Sequence, residues 1–250
     1  MAANEGTLAG RTALVTGAAK RLGRAVALAL AGAGADVIVH YFRSETEAAA
    51  TAGQIERLGR RAWGLQADLA QTDAVASLTG RAFEAAGSVD LLVNNASIFP
   101  SVGLMEMTSA ELAESIQVNA WAPLALCRDF AARGGSGDIV NLLDCRIVDY
   151  DRRHVAYHLS KRMLFSLTRM LAVELAPRIK VNAVAPGLIL PPPGEDESFL
   201  ARHADTNPLG RHGSEADVAD AVVMLAANGF ITGQVIFVDG GRHLRGHFYG

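Results

Sequence analysis

In the stretch NLLDCRIVDYDRRHVAYHLSK, residues 141–161, Tyr157 and Lys161 stand one helical turn apart, and Asp144 precedes the tyrosine. Side chains at that spacing share one face of a helix, which sets an ammonium beside a phenol. The ammonium favours the phenolate, so a phenol with an ordinary pKa of about 10 gives up its proton nearer neutrality. That is the equipment of a proton donor, although a lone Tyr/Lys pair on an arbitrary helix is more often a surface contact. Asp144 narrows the chemistry. An ionised carboxylate beside the donor repels a developing alkoxide, which counts against a simple ketone substrate. The plainer reading gives Asp144 a backbone amide or Arg146 as its partner.

A second cluster lies far upstream. TGAAKRLG, residues 16–23, falls between an apolar run and a helical run, where backbone N–H groups and a helix N-terminus hold a pyrophosphate. Thr16, Gly17, Leu22 and Gly23 frame that turn, and the glycines allow close backbone approach. Arg21 stands where many such loops carry glycine, and an arginine at this corner is costly without an anion to meet. It points to a phosphate beyond the pyrophosphate. A ribose 2′-hydroxyl would require Asp or Glu at the end of the next apolar run, but HYFRS offers His40, Arg43 and Ser44, with no carboxylate before Glu45. Two permanent charges, a titratable ring and a hydroxyl suit a dianionic 2′-phosphate, so these residues predict NADPH over NADH. A solvated basic turn is the alternative. Asp68 and Leu69 are placed to meet the adenine, with a turn aspartate as the plainer reading. Asn95 and Ala96, after Asn94, leave room for a ribose.

These residues need a scaffold that gathers strand ends. TALVTG, DVIVHYF, RAWGLQADL and VDLLVNNA read as strands, and three helical patterns at 25–34, 45–59 and 72–87 separate them. The second half continues with a long helical region over 109–132 perturbed by Pro123, the strand GDIVNLLD, a helix over 157–176 and the strand KVNAVAPG. A proline-rich loop or small lid, a helix capped by Ser214 and the strand QVIFVDGG complete it. This alternation predicts an α/β fold: a doubly wound, Rossmann-type parallel sheet of about seven strands with helices on both faces. A single domain over 1–250 is expected, with a substrate loop or lid over 188–213.

Bulk properties exclude several classes. The 250 residues carry 23 Lys plus Arg and 26 Asp plus Glu, and the interspersed signs offer no phosphate-tracking surface, so nucleic acid is not an expected partner. No apolar run reaches the roughly 18 residues of a membrane span, and MAANEGTLAGR does not read as a leader. A soluble, cytoplasmic chain is expected. Cys127 and Cys145 lack metal-ligand spacing, and no metal is expected.

In order along the chain, TGAAKRLG, Asp68, NNAS, Asn119 within VNA, YHLSK, APG and VDGG resemble the classical short-chain dehydrogenase/reductase family over essentially the whole length. The resemblance implies that Tyr157 donates the proton and that Lys161 lowers its pKa and contacts the nicotinamide ribose. It further implies a water relay supported by Asn119, hydride delivery from nicotinamide C4, and a homotetramer. Pro186, Gly187 and Leu188 would orient the carboxamide, while LILPPP lacks the threonine of the family's PGxxxT pattern. Other departures occur together: Arg21, HYFRS, NNAS for NNAG, Phe99, and Asp144 where serine is usual. That set resembles the pteridine reductase branch, and DGGRHLR is similar to dihydromonapterin reductases.

Such a branch implies a flat pterin, with Phe99 on one face and nicotinamide on the other. Arg21, Ser97 and Leu188 complete the substrate contacts, and Asp144 with Tyr157 manages protons at ring nitrogen. Reduction at C7/N8 takes its proton from Tyr157, whereas reduction at C6/N5 draws on water. Sealing the loop against the core remains a reading for Phe99, and capping a turn one for Ser97. His154 and His158 are read as surface, lid or subunit-contact residues without a catalytic role. The C-terminal RHLRGHFYG either reaches a neighbouring site or frays. A 3-oxoacyl thioester reductase is the competing enzyme reading, and a non-enzymatic NADPH-binding regulator the remote one.

Overall fold

A computed structural model describes residues 6–192 and 194–247. Seven strands form one sheet: β1 (Thr12–Val15), β2 (Asp36–Tyr41), β3 (Ala62–Gln66), β4 (Leu91–Asn94), β5 (Gly137–Leu142), β6 (Ile179–Pro186) and β7 (Val235–Val238). Every neighbouring pair is parallel, in the order β3-β2-β1-β4-β5-β6-β7. The strand order reverses between β1 and β4, and a crevice opens there at the carboxyl edge.

Alternation along β1 shows why its residues are apolar throughout. Ala13 and Val15 enter one core with Val26 and Leu30 of α1 (Arg21–Gly32), Ile55 of α2 (Glu45–Arg57) and Val222 of α8 (Glu215–Ala227). Leu14 enters the other with Leu78 of α3 (Thr72–Ala86), Phe130 of α5 (Ala122–Arg133) and Leu171 of α6 (Val155–Glu174). Successive strand side chains point to opposite faces, so a strand covered on both sides cannot alternate with polar residues.

Two elements differ from expectation. The region 109–132 is broken into α4 (Ser109–Ile116), a π-helical turn at Gln117–Trp121, and α5. Pro123 has no N–H to give the carbonyl four residues back, which is Asn119's, and the hydrogen-bond ladder widens there. The proline-rich segment is also more than a loop. It carries α7 (Glu197–His203), capped by Asp196, and a 3₁₀ turn at Ala204–Thr206. Ser214 caps α8 as expected, in a capping box with Asp217. No helix among the described residues is long and apolar enough to cross a membrane.

Candidate active site

A cavity of about 690 Å³ occupies the β1/β4 crevice. Its floor is fixed by Thr16, whose Oγ1 accepts from the Asn95 and Ala96 amides at 2.9 and 3.0 Å. Thr16 is itself buried, so it ties the two strand ends together rather than facing the cavity, a correction to its expected contact role. Asn95 Nδ2 donates to the Thr16 and Gly17 carbonyls at 2.8 and 3.2 Å. Gly17 has φ +65°, and a Cβ on Gly23 would lie 2.2 Å from the Gly17 oxygen, so the turn tolerates only glycine at both positions. Leu22, Leu69, Ala96 and Ser97 also line this space.

His40 corrects another expectation. The ring is buried, Nδ1 accepts from the Gly17 amide at 3.0 Å, and Nε2 lies 3.2 Å from the Ala67 carbonyl. With Nδ1 accepting, the proton sits on Nε2. Burial pushes its pKa down to about 4, so the ring is neutral and shapes the turn instead of presenting charge. Arg43 and Ser44 remain for an anion. Arg43 packs its guanidinium over Phe42 at 4.6 Å and has no ion pair among the described residues. Ser44 occupies the α2 N-cap without its side chain bonding the helix. An unpaired guanidinium and an uncommitted hydroxyl at a helix start fit a phosphate ester.

Arg21 is the one non-glycine residue at positive φ among those described, at 53°. That conformation costs about 1–2 kcal/mol for a residue with a Cβ. It lets the guanidinium reach Pro191 O at 2.6 Å, joining the nucleotide turn to the proline-rich segment. Asp68 lines the cavity and also serves its turn, accepting from the Ala70 amide at 3.0 Å.

Asp144 and Phe99 line a second cavity of about 460 Å³, and Tyr157, itself buried, contacts both of them. Tyr157 Oη donates to Asp144 Oδ2 at 3.2 Å, while Asp144 Oδ1 accepts the Arg146 amide at 2.8 Å and caps the 3₁₀ turn Cys145–Val148. The plainer reading of Asp144, a backbone acceptor, is thus realised, and its other oxygen meets the phenol. Lys161 Nζ donates to the Leu142 carbonyl at 2.7 Å and stands 5.7 Å from the Tyr157 ring centre. The expected depression of the phenol pKa is not found. Burial, then the Asp144 charge and its hydrogen bond, raise Tyr157 well above its ordinary value, and burial pulls Lys161 down to about 8. Without a second cation, one buried lysine does not outweigh a carboxylate in direct contact.

Asn119 sits in the π-helical turn with every side-chain valence in use. Its Oδ1 accepts from Ser97 Oγ and the Ile98 amide, both at 2.9 Å, and its Nδ2 donates to Ile98 O and Ser160 Oγ, both at 3.0 Å. The amide therefore frames the loop after β4, leaving only backbone for the relay that resemblance implied. The Ser97 hydroxyl donates to Asn119 Oδ1 and also has the Ile98 carbonyl within reach at 3.3 Å.

Phe99 is 42% exposed, which rules out a core seal. His154 stacks on one ring face, with centroids 3.9 Å apart and planes 14° apart, and the ring meets Tyr157 edge-on at 4.6 Å. One face is thus already covered. Gly187 and Leu188 line the same cavity, whereas Pro186 does not. A Cβ on Gly187 would lie 2.5 Å from Asp239 Cβ, and the Gly187 amide donates to Val238 O at 3.0 Å. Of the C-terminal RHLRGHFYG, Arg242 lines the cavity, and residues 248–250 lie outside the described residues.

Of the histidines beside Tyr157, His158 is buried and His154 partly so, and both line the cavity. His154 Nδ1 and His158 Nε2 lie 3.2 and 3.3 Å from Asp151 Oδ2, which also accepts from Arg146 Nη1 at 2.6 Å. Sequence reasoning passed over Asp151. Its spacing to both histidines, i to i+3 and i+7, was the available signal, hidden because α6 begins only at Val155.

The family model described as enoyl-(acyl carrier protein) reductase matches residues 17–243. An uncharacterized oxidoreductase of Mycobacterium tuberculosis is 36% identical over 241 residues, covering 92% of this chain and 91% of its own. The 3-oxoacyl-[acyl-carrier-protein] reductase FabG of Staphylococcus epidermidis is 34% identical, covering 94% and 99%. Among solved structures, FolM alternative dihydrofolate reductase 1 of Brucella canis, complexed with NADP, superposes with a TM-score of 0.88 at 37% identity, over 95% of this chain and 96% of its own.

Proposed function

The chain belongs to the short-chain dehydrogenase/reductase family, and from that premise we propose that it is an NADPH-dependent reductase of a pterin ring of the biopterin, dihydrobiopterin or dihydromonapterin type. The Asp144–Tyr157 contact carries the reading. A carboxylate only accepts hydrogen bonds, and a ketone has no donor to give it, whereas a pterin edge presents ring N–H and amino hydrogens. The half-exposed Phe99, with one face backed by His154, offers the other to a planar ring. The resemblance to the NADP-bound Brucella protein, an alternative dihydrofolate reductase by its description, supports both halves of the proposal.

When bound, NADPH supplies the hydride. Arg43 and Ser44 hold its 2′-phosphate, and His40 keeps the Gly17 turn in place through an uncharged ring. Tyr157 stays protonated until a ring nitrogen takes its proton, and Asp144 accepts from the neighbouring N–H. The segment 188–213 acts as the substrate lid in this reading, supported by Phe199 and His203 of α7 lining the cavity. A homotetramer belongs to the same reading, and exposed Met170 and Val173 on α6 offer it an apolar contact surface.

The staphylococcal FabG relatives favour a second reading, reduction of a 3-oxoacyl thioester. Anaerobic cofactor oxidation with dihydromonapterin, dihydrobiopterin, dihydrofolate, biopterin and an acetoacetyl thioester, each with NADPH and NADH, separates the two. Preference for the thioester overturns the pterin assignment, and preference for NADH overturns the cofactor. A Phe99→Ala variant should raise KM for a pterin about 10-fold, reflecting one lost stacking contact and its buried area, while KM for NADPH stays unchanged. Equal changes in both constants would argue against stacking.

A further inference from the structure

We propose that Asp151 is a positioning residue for this site, setting both the stacking ring and the proton-donor pair although it bonds neither Phe99 nor Tyr157. The inference rests on the reading above, in which those two side chains receive the substrate.

Asp151 has four polar partners, one on Oδ1 and three sharing Oδ2. Its Oδ1 accepts the Arg153 amide at 2.7 Å, and its Oδ2 meets Arg146, His154 and His158. His154 and His158 lead through their rings to the aromatic contacts of Tyr157, and Arg146 leads through its backbone amide to Asp144. His154 stacks on Phe99, whose edge abuts the tyrosine. His158 packs edge-on against the tyrosine itself at 5.2 Å, and its buried Nδ1 has no partner, so Asp151 is its one polar anchor among the described residues. The Arg146 backbone amide donates to Asp144, which accepts the hydrogen bond of the Tyr157 hydroxyl.

The hub also controls where charge goes. Arg146 pairs with Asp151 at 2.6 Å and not with Asp144, two residues away, although it could compensate either carboxylate. Holding the guanidinium on Asp151 leaves Asp144 able to accept from substrate N–H and to keep the phenol protonated. Burial alone would raise the Asp151 pKa, but the Arg153 amide, His154 and Arg146 hold it at about 2, so the hub stays ionised across the neutral range. Neutralising Asp151 would free Arg146 for Asp144 and unseat His154 in one step.

Asp151→Asn tests this, because it preserves shape and removes charge. Loss of a charge-assisted hydrogen bond predicts a fall of about 10-fold or more in pterin kcat/KM, shared between kcat and KM. KM for NADPH should stay within about twofold of wild type, the scatter expected for independent sites. In a cycle with Phe99→Ala the two effects on pterin KM should be partly non-additive, the double variant being worse than Phe99→Ala by less than the full effect of Asp151→Asn alone. A substrate-free readout accompanies these. In the wild type the stacked His154 ring should shift the Phe99 ring protons upfield in the NMR spectrum, and Asp151→Asn should abolish that shift.

The outcomes separate cleanly. If the wild type turns over no pterin, the substrate reading fails while the Phe99 shift still judges the hub. A shift retained in Asp151→Asn, additive effects in the cycle, or an equal loss for NADPH each overturns the hub. Should Asp151→Asn not fold, His154→Gln keeps a donor for Asp151 and removes the ring. It should raise pterin KM with kcat unchanged, and an unaltered KM would reject the Phe99 arm and with it the proposal.

Discussion

Replacing Tyr157 by phenylalanine is expected to lower kcat for an oxidised pterin by about 10²–10⁴-fold, the span of a positioned general acid. The ring itself is retained, so its edge contacts with Phe99 and His158 survive and cofactor affinity should not move. What disappears is Oη, which donates to Asp144 at 3.2 Å. For a dihydropterin reduced at C6/N5, where water delivers the proton, the same variant should lose much less. The wild-type pH profile adds a sign. Tyr157 is raised well above its ordinary pKa and does not ionise near neutrality, whereas Lys161, lowered by burial to about 8, loses its charge as pH rises through that value. The rate should therefore fall above pH 8, through the lysine, and the residual activity of the variant should keep that alkaline limb. Stopped-flow single turnovers across pH check both points, and a variant within threefold of wild type on oxidised pterin would remove Tyr157 from the chemistry.

The scaffold was legible because its signals are local. Buried β-branched runs ending in glycine, separated by amphipathic helices, admit few arrangements other than a doubly wound sheet, and all seven strands fall where the runs placed them. Expectation slipped where a local signal acts at a distance. Pro123 marked a perturbed helix, yet the distortion lies at 117–121, because the missing N–H is felt at the carbonyl it would have met. LPPPGEDES reads as a loop by composition, and α7 beside it is held by an Asp196 cap that composition does not weigh.

Within the site, residue types were readable and their states were not. His40 has the right place for a phosphate-binding ring, but only the folded chain shows the Gly17 amide and Ala67 carbonyl closing on it. Tyr157 and Lys161 share a helix face as their spacing requires. The balance between lysine and carboxylate, however, depends on burial and on a contact between residues thirteen apart. Asp151 shows the same limit more sharply, since its importance lies in three partners that each touch something else.

Exchanging Asp144 for serine should cut pterin kcat/KM by about 10²-fold, comparable to losing one preorganised polar contact at a reacting centre, with NADPH binding nearly intact. Serine is a sound test because it preserves the structural half of the residue. Asp144 caps the 3₁₀ turn through the Arg146 amide, and a serine hydroxyl caps a helix start about as well. The charge is what leaves. Tyr157 then loses the second-largest cause of its raised pKa and the hydrogen bond that adds to it, so the phenol becomes more acidic, though burial still holds it up. The acceptor for substrate N–H groups vanishes, and a neutral O–H donor takes its place, which is what a ketone oxygen needs. The same variant should therefore gain activity on a small ketone or 3-oxoacyl thioester while losing it on pterins. A parallel loss on both substrates would mean that Asp144 supports the fold of the site rather than its choice of substrate, and unchanged pterin turnover would deny it either role.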